Sequence, residues 1–230
     1  MGMSVKVVTG WLAGCCLLVV SAWAETTEGK SPAYAVVEDA TERVMEVVTE
    51  AQTYVDQDPE RYYGEIQVIL DPVIDFRGFS RSVMGPYASS ERYRSLDEAG
   101  RAQLRGQLDR FSEVMRVGLV RTYGKGLLAF GSSRIEVVQP EQDDTAAPRV
   151  SVRQLIYSDE PEPYVVLYQM GRNKSDEWKL RNVIIESVNL GEIYRNQFEA
   201  AARKHEGDLD IVIDNWSTVE VDPESEVSNS

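Results

Sequence analysis

Three acids lie next to apolar segments and are the candidates for proton chemistry: Asp71, Asp75 and Glu186. A carboxyl group in apolar surroundings has its pKa raised and can act as a general base, as in cone-shaped α+β enzymes. Plainer duties fit the same residues: capping a helix for Asp71, salt bridging for Asp75 and Glu186. The single histidine, His205, stands beside Lys204 near the end of a helical pattern, where a cation suits the helix dipole. The two cysteines, Cys15 and Cys16, lie in the N-terminal apolar run, so the rest of the chain holds no thiol nucleophile and no Cys-based metal site. Gly-x-Ser-x-Gly, phosphate-loop and dinucleotide fingerprints are absent, and Gly124-Lys125-Gly126 falls inside a helical pattern. Lys and Arg are interspersed with acids, which leaves no nucleic-acid footprint. No metal or cofactor is expected.

The elements that would position these residues begin after an export signal. Lys6, an apolar run over residues 7–20 and Ala22-Trp23-Ala24 have the layout of a secretory signal peptide cleaved after Ala24. Leu12-Ala13-Gly14-Cys15 leaves a lipoprotein signal at Cys15 as the alternative. Cleavage would take the net charge from −14 to −15 by removing Lys6. So acidic a chain is repelled by nucleic acid and by anionic membrane surfaces. A polar leader over 25–32, one domain over 33–216 and an acidic, Ser-rich disordered tail over 217–230 complete the expected organisation.

Helical periodicity runs through Val37, Ala40, Val44, Val48, Ala51 and Val55 and should stop near Asp58-Pro59. Short helices are expected over 61–70 and 73–84, the second capped by Asp71 with Pro72 in its first turn. Ser95-Leu96-Asp97-Glu98 reads as a capping box. The long helix it opens carries Leu104, Leu108, Phe111, Met115, Leu119, Tyr123, Leu127 and Phe130 on one stripe and ends at Gly131. Glycines 118, 124 and 126 in that helix predict a kink or close packing. Four strands follow, over 134–139, 149–158, 164–172 and 178–188, joined by short links that imply an antiparallel meander. Helices over 190–205 and 209–216 close the chain. The order predicts an α+β fold with helices on a curved four-stranded sheet.

The strands are apolar on both faces. Tyr164-Val165-Val166-Leu167-Tyr168-Gln169-Met170 does not alternate, the second strand places Val152 and Ile156 opposite Leu155 and Tyr157, and the fourth runs Trp178, Leu180, then Val183, Ile185. That phase shift predicts a bulge near Arg181-Asn182. One face can meet the helices; the other must meet more helices, a second chain or an apolar ligand. Met84, Met115 and Met170 with Tyr123, Tyr157 and Tyr168 suit either a core or an adaptable pocket.

Four segments, in order, resemble the MlaC family of periplasmic phospholipid-binding proteins, also called toluene-tolerance or auxiliary transport proteins. They are Pro72-Val73-Ile74-Asp75-Phe76 with Met84-Gly85-Pro86-Tyr87; Phe111 with Leu119-Val120-Arg121-Thr122-Tyr123-Gly124; Trp178 through Leu190; and Tyr194-Arg195-Asn196-Gln197-Phe198 with Gly207-Asp208-Leu209. Asn182 stands where the family usually has Asp, Ser187 where it usually has Gly, and residues 88–94 are longer than usual.

The resemblance implies a monomeric carrier, not an enzyme, with phospholipid as cargo, acyl chains inside and headgroup outside. It implies exchange with an inner-membrane ABC-type lipid transporter and an outer-membrane lipoprotein/porin complex, maintaining outer-membrane lipid asymmetry. On this reading the second apolar face of the sheet lines the pocket. The expected lipid contacts are Val83, Met84, Phe111, Met115, Leu119, Tyr123 and Leu127 from the helices. From the strands they are Val152, Leu155, Tyr157, Val165, Leu167, Tyr168, Met170, Trp178, Val183 and Ile185, with Tyr194 and Phe198 bracing the last helix.

Overall fold

The computed structural model describes residues 32–140, 147–158 and 161–218. The expected signal peptide, the expected polar leader to residue 31 and the expected tail beyond 218 lie outside the described residues. Helices α1 (Pro32–Ala51), α2 (Pro59–Leu70), α3 (Phe76–Met84), α4 (Ser90–Ser95) and α5 (Glu98–Leu127) precede the sheet, and α6 (Leu190–Lys204) and α7 (Leu209–Asp214) follow it. The sheet holds five antiparallel strands in chain order: β1 (Arg134–Val138), β2 (Arg149–Tyr157), β3 (Tyr164–Arg172), β4 (Trp178–Ile185) and β5 (Val188–Asn189). The fold is α+β, as the run of helices followed by strands implies.

The fifth strand corrects the expected count of four. Rather than continuing to Val188, β4 stops at Ile185, turns through Glu186-Ser187 and returns as β5. Glu186 takes a left-handed conformation at φ +56°, costly for a residue with a side chain. Two bonds hold it: its amide donates to the Val165 carbonyl (2.8 Å), and its carboxylate accepts from the Val165 amide (2.6 Å). Asn189 ends β5 and caps α6 by accepting from the Glu192 amide at 3.3 Å, so strand passes to helix without a loop.

Two helix starts also differ from expectation. Residues 73–75 are drawn into the edge of β4 instead of opening α3. Ile74 forms a parallel bridge with Leu180, whose amide donates to the Val73 carbonyl (2.8 Å) and whose carbonyl accepts from the Asp75 amide (3.0 Å). Asp75, not Asp71, then caps α3, accepting from the Gly78 amide at 2.9 Å. Asp71 closes α2 and receives the Arg116 guanidinium at 3.0 Å. Ser95 belongs to the end of α4, and the N-cap of α5 is Asp97, which accepts from the Gly100 amide at 2.7 Å. Ser95, three residues before Glu98, instead donates its hydroxyl to the Arg92 carbonyl at 2.8 Å.

The expected bulge is present. Gln169 faces Asn182 and the next residue, Met170, faces Leu180, leaving Arg181 as the extra residue of β4. Its guanidinium forms an ion pair with Asp75 and donates to the Arg172 carbonyl at 3.2 Å. Asn182 beside it ties three elements together. It donates to Gln169 Oε1 (3.0 Å) and Asn189 Oδ1 (2.8 Å) and accepts from the Gly191 amide (3.0 Å). Helix α5 runs unbroken, and close packing accounts for Gly124: Tyr62 of α2 donates to its carbonyl at 2.7 Å, and a side chain there would meet the Tyr63 ring.

The Asp75–Arg181 pair is only partly exposed, so its loss should be felt. Arg181→Ala is expected to lower stability by about 2 kcal/mol in urea unfolding, with a coupling of about 1 kcal/mol to Asp75→Asn in a double-mutant cycle. Additive effects would show the pair to be incidental. A Cβ at Gly191 would stand 2.6 Å from Asn182 Oδ1, whereas nothing lies within 4 Å of one at Gly106. Gly191→Ala should therefore cost roughly 2 kcal/mol, while Gly106→Ala in the exposed helix interior should add up to about 1 kcal/mol. Urea midpoints of the two variants check this, and a shift in the same direction for both would contradict it.

Candidate functional site

The bulge decides which strand residues meet the helices. Before it, Trp178 and Leu180 face α1; after it, the pairing of Tyr168 with Val183 and Val166 with Ile185 puts Val183 and Ile185 on that same side. The interior they reach is three apolar clusters rather than one. Ala33, Tyr34 and Val37 of α1 pack on Val152, Met170, Trp178 and Leu180 of the sheet. A second cluster joins α3, α5, α6 and α7 through Val83, Met84, Phe111, Met115, Tyr194 and Phe198. The third lies between α1, α2 and Val120 of α5. Val183 packs against both of the first two clusters.

This arrangement separates the expected lipid contacts. Val83, Met84, Phe111 and Met115 have no exposed surface, because neighbouring side chains use all of it; Phe111, for instance, lies against Phe198 and Trp216. They are packing residues of the helical core, as are Tyr194 and Phe198. Val152, Met170 and Trp178 are likewise closed beneath α1. Leu127 sits against the third cluster. Leu155, Tyr157, Val165 and Leu167 occupy the face opposite α1, since Leu155 pairs with Val165 and residues of opposite parity meet α1. None of the four belongs to an apolar cluster, and Tyr157 instead carries the Arg134 guanidinium 3.5 Å above its ring.

What remains is half-buried: Leu119, Tyr123 and Ile185 pack against the helical cluster, Tyr168 against the sheet cluster, and Val183 against both. Burial pushes the Tyr168 hydroxyl well above its ordinary pKa, yet its side chain is not closed over by neighbours. The hydroxyl donates to Gln154 Oε1 (2.8 Å), and Gln154 Nε2 donates to Thr41 Oγ1 (2.8 Å), a polar chain linking β3, β2 and α1. Sequence reasoning missed Gln154. Its one signal was a polar residue in the inward phase of β2.

A second feature was also missed. A cavity of about 1030 Å³ opens between α3, the start of α6 and the adjoining ends of β2, β3 and β4. Phe79, Pro148, Val150 and Met170 supply its apolar lining, and Arg149, Arg172, Arg181 and Arg195 stand around it with Glu192 as the one acid of the lining. These arginines are scattered along the sequence among acids and converge only through strand pairing. Asp75 and Glu186, the candidate bases, are committed to the Arg181 pair and the Glu186 turn. His205 ends α6. Among the described residues no group of His, Cys, Asp and Glu could hold a metal ion, and no helix is long and apolar enough to cross a membrane.

Comparison with known proteins gives one answer from sequence and from shape. Toluene tolerance protein ttg2D of Pseudomonas putida is 29% identical over 201 residues, 87% of either chain. A solved phospholipid-binding protein from Ralstonia solanacearum, in complex with a phospholipid, shares the fold at a TM-score of 0.59. It is 18% identical, and the match covers 78% of this chain and 94% of that one. The family model described as MlaC protein matches residues 38–218, most of the sequence, and the chain therefore belongs to the MlaC family.

Proposed function

We propose that this protein is a non-enzymatic periplasmic carrier of phospholipid. It moves lipid as a monomer between an inner-membrane ABC-type transporter and an outer-membrane lipoprotein/porin complex, and so maintains outer-membrane lipid asymmetry. The observation that carries the reading is that two apolar clusters meet at Val183 and are flanked by the half-buried Leu119, Tyr123, Tyr168 and Ile185, in a chain of the MlaC family. Clusters that meet along a seam can part without either losing its own packing, which is what insertion of an acyl chain needs. The fold shared with a phospholipid complex supports the same reading.

The physics favours a shuttle. Each buried methylene contributes roughly 0.8 kcal/mol, so two long acyl chains carry on the order of 20 kcal/mol of transfer free energy. Free diffusion of such a lipid through water is negligible. A protein interior of similar apolarity makes extraction nearly balanced, and the partners then set the direction. The net charge of −14 opposes direct adsorption to anionic membranes and leaves delivery to protein partners.

Native purification followed by solvent extraction and mass spectrometry tests the reading; phospholipid is expected in the extract. An empty extract, together with failure to accept lipid from vesicles, would overturn it. Val183→Asp should lower loading about tenfold or more, because an unpaired carboxylate would face acyl chains. Leu167→Asp, on the face opposite α1, should leave loading within about twofold of the wild type. Equal losses in the two variants, both shown folded by circular dichroism, would place the lipid elsewhere.

A further inference from the structure

The arginine-lined cavity gathers basic side chains in an acidic chain. In a chain of net charge −14, four arginines against one glutamate border a single space of about 1030 Å³. Two of them are anchored. Arg181 is paired with Asp75, and Arg172 is held to Asp176 (2.6 Å) with its guanidinium 4.7 Å from the Trp178 ring. The other two are placed at the mouth with hydrogen-bonding capacity to spare. Arg195 directs Nε and Nη2 at Ser82, both at 2.9 Å, which fixes its guanidinium plane and leaves Nη1 without a partner among the described residues. Arg149 makes no side-chain hydrogen bond or ion pair with any described residue. Asn196 adds an amide, while the first N–H groups of α6 in the cavity wall, at Gly191 and Glu192, are taken by Asn182 and Asn189.

Guanidinium groups converging on one space form a receptor for a tetrahedral oxyanion. The apolar lining at Met170 and Phe79 belongs to the sheet cluster and the helical cluster respectively, so the cavity adjoins the two bodies of apolar packing that meet at Val183. A molecule with one phosphate and long hydrocarbon chains would span both environments.

We propose that this cavity binds a phosphate group, with Arg149 and Arg195 as its direct ligands and the paired Arg181 and Arg172 shaping its wall, and that the group is the headgroup phosphate of the carried lipid. The assignment to a headgroup rests on the carrier reading above. A free phosphate offers the same chemistry.

The test compares uptake from vesicles of phosphatidylglycerol and of diacylglycerol with the same acyl chains, presented one at a time in a neutral sugar-lipid matrix. Wild-type protein should prefer phosphatidylglycerol, and Arg149→Gln/Arg195→Gln should lose about tenfold in phosphatidylglycerol uptake with diacylglycerol uptake unchanged. Equal uptake of both lipids by the wild type, or a preference that survives in the folded double variant, overturns the headgroup site and leaves the carrier reading standing. Uptake of neither lipid overturns the carrier reading. Calorimetric titration with inorganic phosphate then decides the site: binding that the double variant loses assigns it to free phosphate, and no binding by the wild type removes it. Arg149→Lys/Arg195→Lys should restore part of the preference, and a variant that merely loosened the fold would depress both lipids together.

Discussion

The arrangement of this molecule turns on one supernumerary residue in β4. With strict alternation Trp178, Leu180, Asn182 and Ile184 would share a face, and two amphipathic halves of the strand would conflict. Arg181 absorbs the mismatch: the strand slips by one residue, and Val183 and Ile185 join Trp178 and Leu180 on the helix side. The slip is held from outside the sheet. Asp75 binds the Arg181 side chain while capping α3, and Asn182, next in line, fastens the start of α6. Sheet phase, entry to α3 and entry to α6 are therefore set by two neighbouring side chains.

The three apolar clusters follow from this. α1 lies across the upstream half of β4 and its neighbours, while α3 and α6 gather on the downstream half, so the sheet presents two adjacent platforms. A continuous core would resist separation at every point, as close-packed interiors do. A divided one has a plane along which fewer contacts need be broken. The same division sets the arginine cavity beside the α3–α6 platform, where the adjoining strand ends supply its basic side chains.

Much of this was legible in the residues. The helix stripes, the meander, the bulge at Arg181 and the direct passage from strand to helix at Asn189 all left period or phase signals. What failed did so where tertiary pairing outbid a local motif. Pro72 and Asp71 have the form of a helix start, but residues 73–75 bond to Leu180, a partner no local rule can see. Ser95 and Glu98 fit a capping box, yet Asp97 stands between them and holds the cap. The ordered set of family-like segments identified the chain, whereas the expected lipid contacts mixed both faces of the sheet because apolar composition alone carries no direction. Arg149, Arg172, Arg181 and Arg195 were invisible as a group, since their convergence belongs to strand register and not to sequence spacing.

The bond between Ile74 and β4 has a consequence for how the chain comes together. Lys179 Nζ also reaches back across 107 residues to the Pro72 carbonyl, at 2.7 Å. A chain emerging N-terminus first exposes α1, α2 and α3 long before β4 exists to receive them. During that interval the apolar stripes of these helices have only one another and α5 to cover them, and the Asp75 carboxylate has no cationic partner from the sheet. The meander itself, built from neighbouring hairpins, can form quickly once it is out. Docking of the first third of the molecule therefore waits on the last, and that delay is the period in which a folding helper or a protease would find it most open.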